Sequence, residues 1–251
     1  MGLFSKKKHH TAGQVDENRI PRHIAVIMDG NGRWAKRRGL PRTAGHKVGA
    51  EVFRKIATYC KELGVEYLTV YAFSTENWKR PADEVNTIMG LLKQYMLEAI
   101  DSMERDQIRL RFLGDMSALS PELQELARRT NEISSHIQGF QANVCLNYGG
   151  RDELRRAVTK IARETADGML SPDAITEDTI SDALDTAGTP DPELMIRTSG
   201  EERISNFLLW QIAYSEFFFS DTLWPDFDKK ELERAIYYYQ NRERRFGGRL
   251  K

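Results

Sequence analysis

His23-Ile-Ala-Val-Ile-Met-Asp-Gly-Asn-Gly-Arg-Trp34 carries an apolar, β-branched run straight into a carboxylate and a glycine-rich basic turn. Ile24 to Met28 suits a strand of a parallel sheet that is buried on both faces. Asp29 then falls at the carboxyl end of that strand, where open α/β sheets place their ligands. Gly30 and Gly32 let the backbone turn sharply and approach a ligand closely. Main-chain N–H groups at the start of a following helix would then face an anion, with Arg33 as a fixed cation. A carboxylate beside such a cradle makes electrostatic sense when a cation lies between the two. A hard divalent ion held by one or two carboxylates plus diphosphate oxygens is Mg2+-like. Asp29 is therefore read as a metal ligand, the alternative being a helix-capping Asp in an ordinary turn. The segment fits neither G-x-G-x-x-G nor G-x-x-x-x-G-K-[ST], so neither a dinucleotide loop nor a P-loop follows.

Outward from this stretch, strands and helices alternate. Ala44 to Leu63 has helical spacing and is stopped by Gly64. Strands are predicted at Glu66 to Phe73, Ile108 to Leu113, Gln141 to Leu146, Glu193 to Arg197 and Glu216 to Phe219. Helices are predicted from Pro81 to Arg105, Pro121 to Ser134, Arg151 to Ala166, around Asn206 to Ile212, and from Lys229 to Arg244. This order predicts a single α/β domain over residues 20–251, with a mostly parallel central sheet flanked by helices. The helix from Pro81 carries more apolar residues than one stripe needs. Residues 1–19, including Met1-Gly-Leu-Phe-Ser-Lys-Lys-Lys8, are predicted to be a disordered basic tail.

The 251 residues include 37 basic and 37 acidic side chains, so any anion site must be local and no nucleic-acid partner is expected. Cys60 and Cys145 lack metal-like spacing and read as reduced structural residues of a cytoplasmic protein. No apolar run approaches the roughly 20 residues of a spanning helix.

Three further clusters carry chemistry. In Phe73-Ser-Thr-Glu-Asn-Trp-Lys-Arg-Pro81, polar residues crowd the end of the second strand. There Ser74 and Asn77 could bridge substrate and metal-bound diphosphate while Trp78 and Arg80 flank a ligand. Arg42 and His46, four apart, share one helical face. In the loop after the fifth strand, Arg197, Arg203 and Ser205 form a second anion clamp. Glu216 follows among aromatics, costly to bury unless it pairs with arginine or metal.

Together these residues resemble the cis-prenyltransferases of the undecaprenyl diphosphate synthase family. The resemblance is carried by Met28-Asp-Gly-Asn-Gly-Arg-Trp-Ala35, Arg42-x-x-x-His46, Phe73-Ser-Thr-Glu-Asn-Trp-x-Arg80, Asn147-Tyr-Gly-Gly-Arg151, Arg197-Thr-Ser-Gly-Glu-x-Arg-Ile-Ser-Asn206 and Arg242-x-Arg-Arg-Phe-Gly247. It implies a homodimer that adds isopentenyl diphosphate units to farnesyl diphosphate with Mg2+, making a Z-polyprenyl product of undecaprenyl length for the cell-wall lipid carrier. By position, Asp29 and Asn77 are the implied catalytic residues, and Asp29 and Glu216 the implied metal residues. Gly30, Asn31, Gly32, Arg33, Trp34, Arg42 and His46 are implied to hold the allylic diphosphate, joined by Ser74, Thr75, Glu76, Trp78 and Arg80. Arg197, Arg203, Ile204 and Ser205 are implied to hold isopentenyl diphosphate, with Arg245 reaching the partner's site. Asn77 is an amide and a poor base, so a positioning role suits it better than proton removal. The surplus apolar surface of Pro81 to Arg105 becomes a wall of a hydrophobic tunnel, and the product brings peripheral membrane contact. Met89, Leu92, Met96 and Cys145 are candidates for setting tunnel depth. The competing readings are a shorter-chain synthase, a Mg2+-dependent phosphohydrolase that needs only one clamp, and a non-catalytic prenyltransferase subunit.

Overall fold

The Ile24–Met28 run forms the first strand, β1 (His23–Ile27), with all five residues buried. It lies inside a sheet of six parallel strands, β1 with β2 (Tyr67–Ser74), β3 (Arg109–Leu113), β4 (Gln141–Tyr148), β5 (Leu194–Arg197) and β6 (Glu216–Phe219). Their spatial order is β3-β4-β2-β1-β5-β6. The chain is seen as a computed structural model that describes residues 14–242.

Seven α-helices occur among the described residues: α1 (Asn31–Arg37), α2 (Arg42–Glu62), α3 (Ala82–Asp106), α4 (Pro121–Ser134), α5 (Gly150–Ala166), α6 (Glu177–Ala183) and α7 (Lys229–Gln240). Alternation along β1 divides the core. Ile24 and Val26 face α2 and α7 residues such as Ile56, Cys60, Leu232 and Ile236. Ala25 and Ile27 face the opposite layer with Cys145, Tyr148, Phe207 and Ile212. A third cluster joins α3 and α4 to the far edge through Val85, Met96, Leu123 and Leu146. Among the described residues no helix is long and apolar enough to cross a membrane.

Predicted and observed elements differ in instructive places. The helix expected around Asn206 to Ile212 is a run of turns instead. Ser205, Asn206 and Leu208 have φ of 47°, 64° and 45°, which a right-handed helix cannot hold. Part of the segment expected to be unstructured is ordered. Glu17–Arg19 makes a 3-10 turn capped by Asp16. Gln240 of α7 secures it, accepting from the Asp16 N–H at 3.0 Å and donating to the Asp16 carbonyl at 2.8 Å. Residues 1–13, with the lysine run, lie outside the described residues. The terminal helix ends at Gln240, and α6, which the sequence reading missed, starts on a Thr176 cap.

Between α2, α3 and the sheet face of β2, β3 and β4 lies a cavity of about 580 Å3. Phe53 and Ala57 of α2, Leu91, Leu92 and Met96 of α3, and Val70, Leu110, Ala142 and Val144 of the sheet line it. The predicted apolar wall therefore exists, and Leu92 and Met96 face the space as expected. Cys145 does not: its neighbours Val144 and Ala142 take the cavity side, and strand alternation turns the thiol to the opposite layer. Met89 packs with the α3–α4 cluster instead of lining the cavity.

Candidate active site

Asp29 leaves β1 at the carboxyl end of the sheet, where its backbone is clipped to the next strand. Its N–H donates to Thr198 Oγ1 at 2.9 Å, and the Thr198 hydroxyl donates to the Asp29 carbonyl at 2.6 Å. Its carboxylate sits between two guanidiniums, with Arg197 Nη2 3.0 Å from Oδ2 and Arg33 Nη2 3.2 Å from Oδ1. Burial works against ionisation, but the Arg197 hydrogen bond and the charges of Arg33 and Arg197 outweigh it and hold the carboxyl below its usual range.

Gly30 makes the turn possible in two ways. Its φ is +111°, and an added Cβ would lie 2.9 Å from Leu223 Cδ2. Helix α1 therefore begins at Asn31, inside the motif itself. Arg33, on its first turn, donates to Ser199 Oγ at 2.5 Å and approaches Glu201 Oε1 at 3.2 Å. Gly32 leaves room for Arg42, whose Nη2 would be 2.9 Å from an added Cβ.

Arg42, His46 and Arg80 complete the first cationic set, and all three approach Glu84, a residue the sequence reading did not single out. Arg80 Nη1 is 3.0 Å from Glu84 Oε1, Arg42 Nε 3.4 Å from Oε2, and His46 Nε2 3.6 Å from Oε1. Burial lowers the His46 pKa, and the charges of Arg80 and Arg42 lower it further against the pull of Glu84. The signal for Glu84 was its place four residues after Arg80 on a helix start.

The second set is built on β5. Arg197 is 4 % exposed, and its Nη1 donates to Ser205 Oγ at 2.7 Å and to the Arg203 carbonyl. Its Nε is buried without a partner, a donor whose cost a ligand oxygen would relieve. Arg203 is exposed and pairs with Glu201. Glu201 thus touches both sets, Arg33 on one side and Arg203 on the other.

The loop after β2 closes the rim. A bulge between Tyr71 and Ser74 shifts the register against β4. Asn77 Oδ1 accepts from the Ser74 N–H at 3.1 Å, so the amide oxygen is engaged locally. Trp78 donates to Asn147 Oδ1 at 2.7 Å, and Asn206 Nδ2 donates to Glu76 Oε1 at 3.0 Å. Thr75 packs beside Gly149, where an added Cβ would lie 2.8 Å from its hydroxyl. The loops after β2, β4 and β5 are therefore stitched together through Asn147 and Asn206.

Four expected site residues fall elsewhere or beyond view. Trp34 turns away from the cavity, donating to Asp226 at 2.7 Å with the Arg38 guanidinium 4.1 Å above its ring. Ile204 packs on the apolar layer around Phe207. Glu216 does not meet Asp29 within this chain. Parallel pairing sets Ile24 beside Leu194 and Leu194 beside Glu216, which leaves Glu216 at the opposite end of the sheet. The five-residue offset is roughly 16 Å of strand, and the carboxylate is bonded to Arg242 Nε at 3.0 Å. Arg245 lies outside the described residues.

Among the described residues no three His, Cys, Asp or Glu side chains gather as a metal site. That is compatible with Mg2+, which takes one or two carboxylates and fills its octahedron with substrate oxygens and water. Asp29, ionised and at the rim, fits such an ion.

Known proteins resemble this chain in sequence and fold. The model of the family described as "putative undecaprenyl diphosphate synthase" matches residues 27–247. The isoprenyl transferase of Clostridium perfringens is 48% identical over 250 residues, covering 99% of each chain. That of Heliobacterium mobile is 52% identical over 236 residues, 94% of this chain and 90% of the relative. Among solved structures, lavandulyl diphosphate synthase from Lavandula x intermedia, in complex with dimethylallyl diphosphate, superposes with a TM-score of 0.88 at 34% identity. It covers 92% of this chain and 99% of its own. A probable undecaprenyl diphosphate synthase from Campylobacter jejuni gives 0.75 at 36% identity, with 90% and 98% covered. Two cationic sets around one carboxylate, an apolar cavity and these likenesses make this chain a prenyl-transferring enzyme that belongs to the undecaprenyl diphosphate synthase family.

Proposed function

We propose that this enzyme condenses isopentenyl diphosphate units onto an allylic diphosphate, farnesyl diphosphate being the starting substrate, to make a Z-polyprenyl diphosphate of undecaprenyl length. The observation that carries the reading is the pairing of two cationic sets across Asp29 with an apolar cavity that starts beside one of them. His46 of the first set lines the cavity, as does Asn31 at the start of α1. A diphosphate held there would send its hydrocarbon between α2 and α3. The dimethylallyl diphosphate in the lavender neighbour is itself an allylic diphosphate.

On this reading Arg33, Arg42, His46 and Arg80 bind the allylic diphosphate, and Arg197, Arg203 and Ser205 bind the isopentenyl diphosphate. Holding both substrates converts a bimolecular step into one between fixed neighbours. Arg33 and Arg42 stabilise the charge that grows on the departing diphosphate. The alkene of the second substrate attacks the allylic carbon, and a proton is then lost. With its oxygen tied to Ser74, Asn77 offers only its NH2 group, which orients a diphosphate oxygen that takes that proton. Mg2+, when bound at Asp29 and the diphosphate, supplies further neutralisation of the leaving group. The apolar walls keep water from the reacting carbon.

The enzyme acts as a homodimer in the cytoplasm, with peripheral membrane contact for product release. The exposed Tyr214 and half-exposed Phe217 around edge strand β6 favour a partner there. Chromatography of products from farnesyl and isopentenyl diphosphates with Mg2+ tests activity and chain length together. The expected result is diphosphate release with a product of eleven isoprene units, lost in Asp29→Ala while circular dichroism stays native. Free monophosphate as the product, or substantial activity left in Asp29→Ala, would overturn the reading.

A further inference from the structure

We infer that Glu84 is the positioning residue of the allylic-diphosphate clamp: one buried carboxylate holds Arg42, His46 and Arg80 from behind and leaves the outer edges of both guanidiniums free. The inference rests on the assignment of that clamp to the allylic substrate. Two guanidiniums and an imidazole from two separate segments converge on this one side chain, which is 8% exposed. Its geometry is selective. Arg42 meets Glu84 through Nε, so both of its Nη groups remain available, and Arg80 meets it through Nη1, so Nη2 remains. The Arg42 fork lies against Gly32 in the phosphate turn, with Nη2 at 2.9 Å from where a Cβ would stand.

An ordinary helix-capping role does not explain the residue. Glu84 occupies the third position of α3, from which a glutamate reaches back to the N-cap backbone N–H. The N-cap here is Pro81, which has no N–H. Nor does it simply neutralise the site. One carboxylate facing two guanidiniums and an imidazole leaves a net positive clamp, so it orders the cations without cancelling their attraction for diphosphate. Arg42 is 64% exposed at its side chain and would otherwise sample many rotamers. Glu84 imposes that ordering before the substrate arrives, which is how preorganisation raises affinity. Because Leu91 and Leu92 of the cavity wall lie two turns further along α3, the clamp and the wall share one rigid element.

The test is steady-state kinetics and calorimetric farnesyl diphosphate binding on the full chain, comparing wild type with Glu84→Gln and Glu84→Asp. Glu84→Gln keeps the shape and removes the charge, and is expected to raise the KM and Kd for farnesyl diphosphate about tenfold or more. The isopentenyl KM stays within about twofold, because the second clamp is not touched, whereas saturated kcat also falls, because Arg42 no longer meets the departing diphosphate in register. Glu84→Asp restores part of the allylic affinity. Combining Glu84→Gln with Arg80→Ala adds less than the sum of the two single effects, since both remove one unit. Equal KM changes for both substrates, or a lowered Tm with unchanged farnesyl diphosphate binding, would overturn the proposal. So would failure of the wild type to bind farnesyl diphosphate. If the wild type binds it but forms no product, the reaction assignment fails, while Glu84 is still judged by the binding ratio.

Discussion

Asp29 stays ionised because Arg197 and Arg33 outweigh its partial burial, and the same two arginines belong to different clamps. This makes the arginines unequal. Arg203 is exposed and held by Glu201 alone among the described side chains, so Arg203→Ala should raise the isopentenyl KM about tenfold with kcat little changed. Arg197 is buried against Asp29 and Ser205, so Arg197→Ala should also lower kcat by about 10²- to 10³-fold. Rapid-quench and steady-state assays on the pair separate these outcomes, and equal effects would remove the distinction. At this scale the strand-end residues were legible from sequence, because carboxyl-end placement follows from the run of apolar residues before them. Glu84 was legible only in its i,i+4 spacing from Arg80, since its other two partners, Arg42 and His46, come from a segment about forty residues away in the chain. The separation of Glu216 from Asp29 within this chain was not legible either, because it follows from the pairing register of β1, β5 and β6.

Between elements, α1 rides directly on α2, and two glycines make the approach possible. A Cβ at Gly45 would lie 2.1 Å from the Asn31 carbonyl oxygen, and one at Gly49 would lie 2.3 Å from Asn31 Oδ1. Gly45→Ala must push α1 off its seat, at a cost of about 1–3 kcal/mol of overpacking. A fall of several degrees in Tm, with weakened farnesyl diphosphate binding, is the outcome calorimetry should give. A variant as stable as wild type would show that the helix pair has slack. Periodicity identified α2, α3 and α5 because long amphipathic patterns dominate their local sequence. It failed at 206–212, where an apolar stretch resembles a helix but Asn206 is fixed in a left-handed turn. There Asn206 serves Glu76, Gly150 and Arg151 at once. The bulge of β2 was equally invisible, being set by pairing with β4.

Across the whole molecule, a buried polar ladder ties three strands at the end of the sheet opposite the active site. Pro190 O lies 2.6 Å from His23 Nδ1, so that nitrogen carries the proton and Nε2 accepts from Thr69 at 2.7 Å. Asn143 donates to Thr69 at 3.0 Å, and Gln141 to Asn143 at 2.7 Å. Burial lowers the pKa of His23 from 6.5 to about 4. The unfolded chain therefore binds a proton between those values that the folded chain refuses. Stability from this group is full above pH 6.5 and declines as pH falls toward 4, by about 1.4 kcal/mol per pH unit. Urea midpoints of wild type and His23→Gln between pH 7.5 and 4 should converge as the solution is acidified. Parallel curves would show that His23 is not the group responsible.

What the sequence determined by itself was the alternation of apolar strands with amphipathic helices, hence the parallel sheet, and the chemistry set at the strand ends. Those features are local, written in periods of two and 3.6 residues and in the turn residues that follow them. Tertiary structure alone decided which cations share a carboxylate, which face of β4 lines the cavity, where Trp34 points and how far Glu216 lies from Asp29. Each of these depends on pairing register and helix placement, which arise from packing over the whole chain and leave no mark on any one segment.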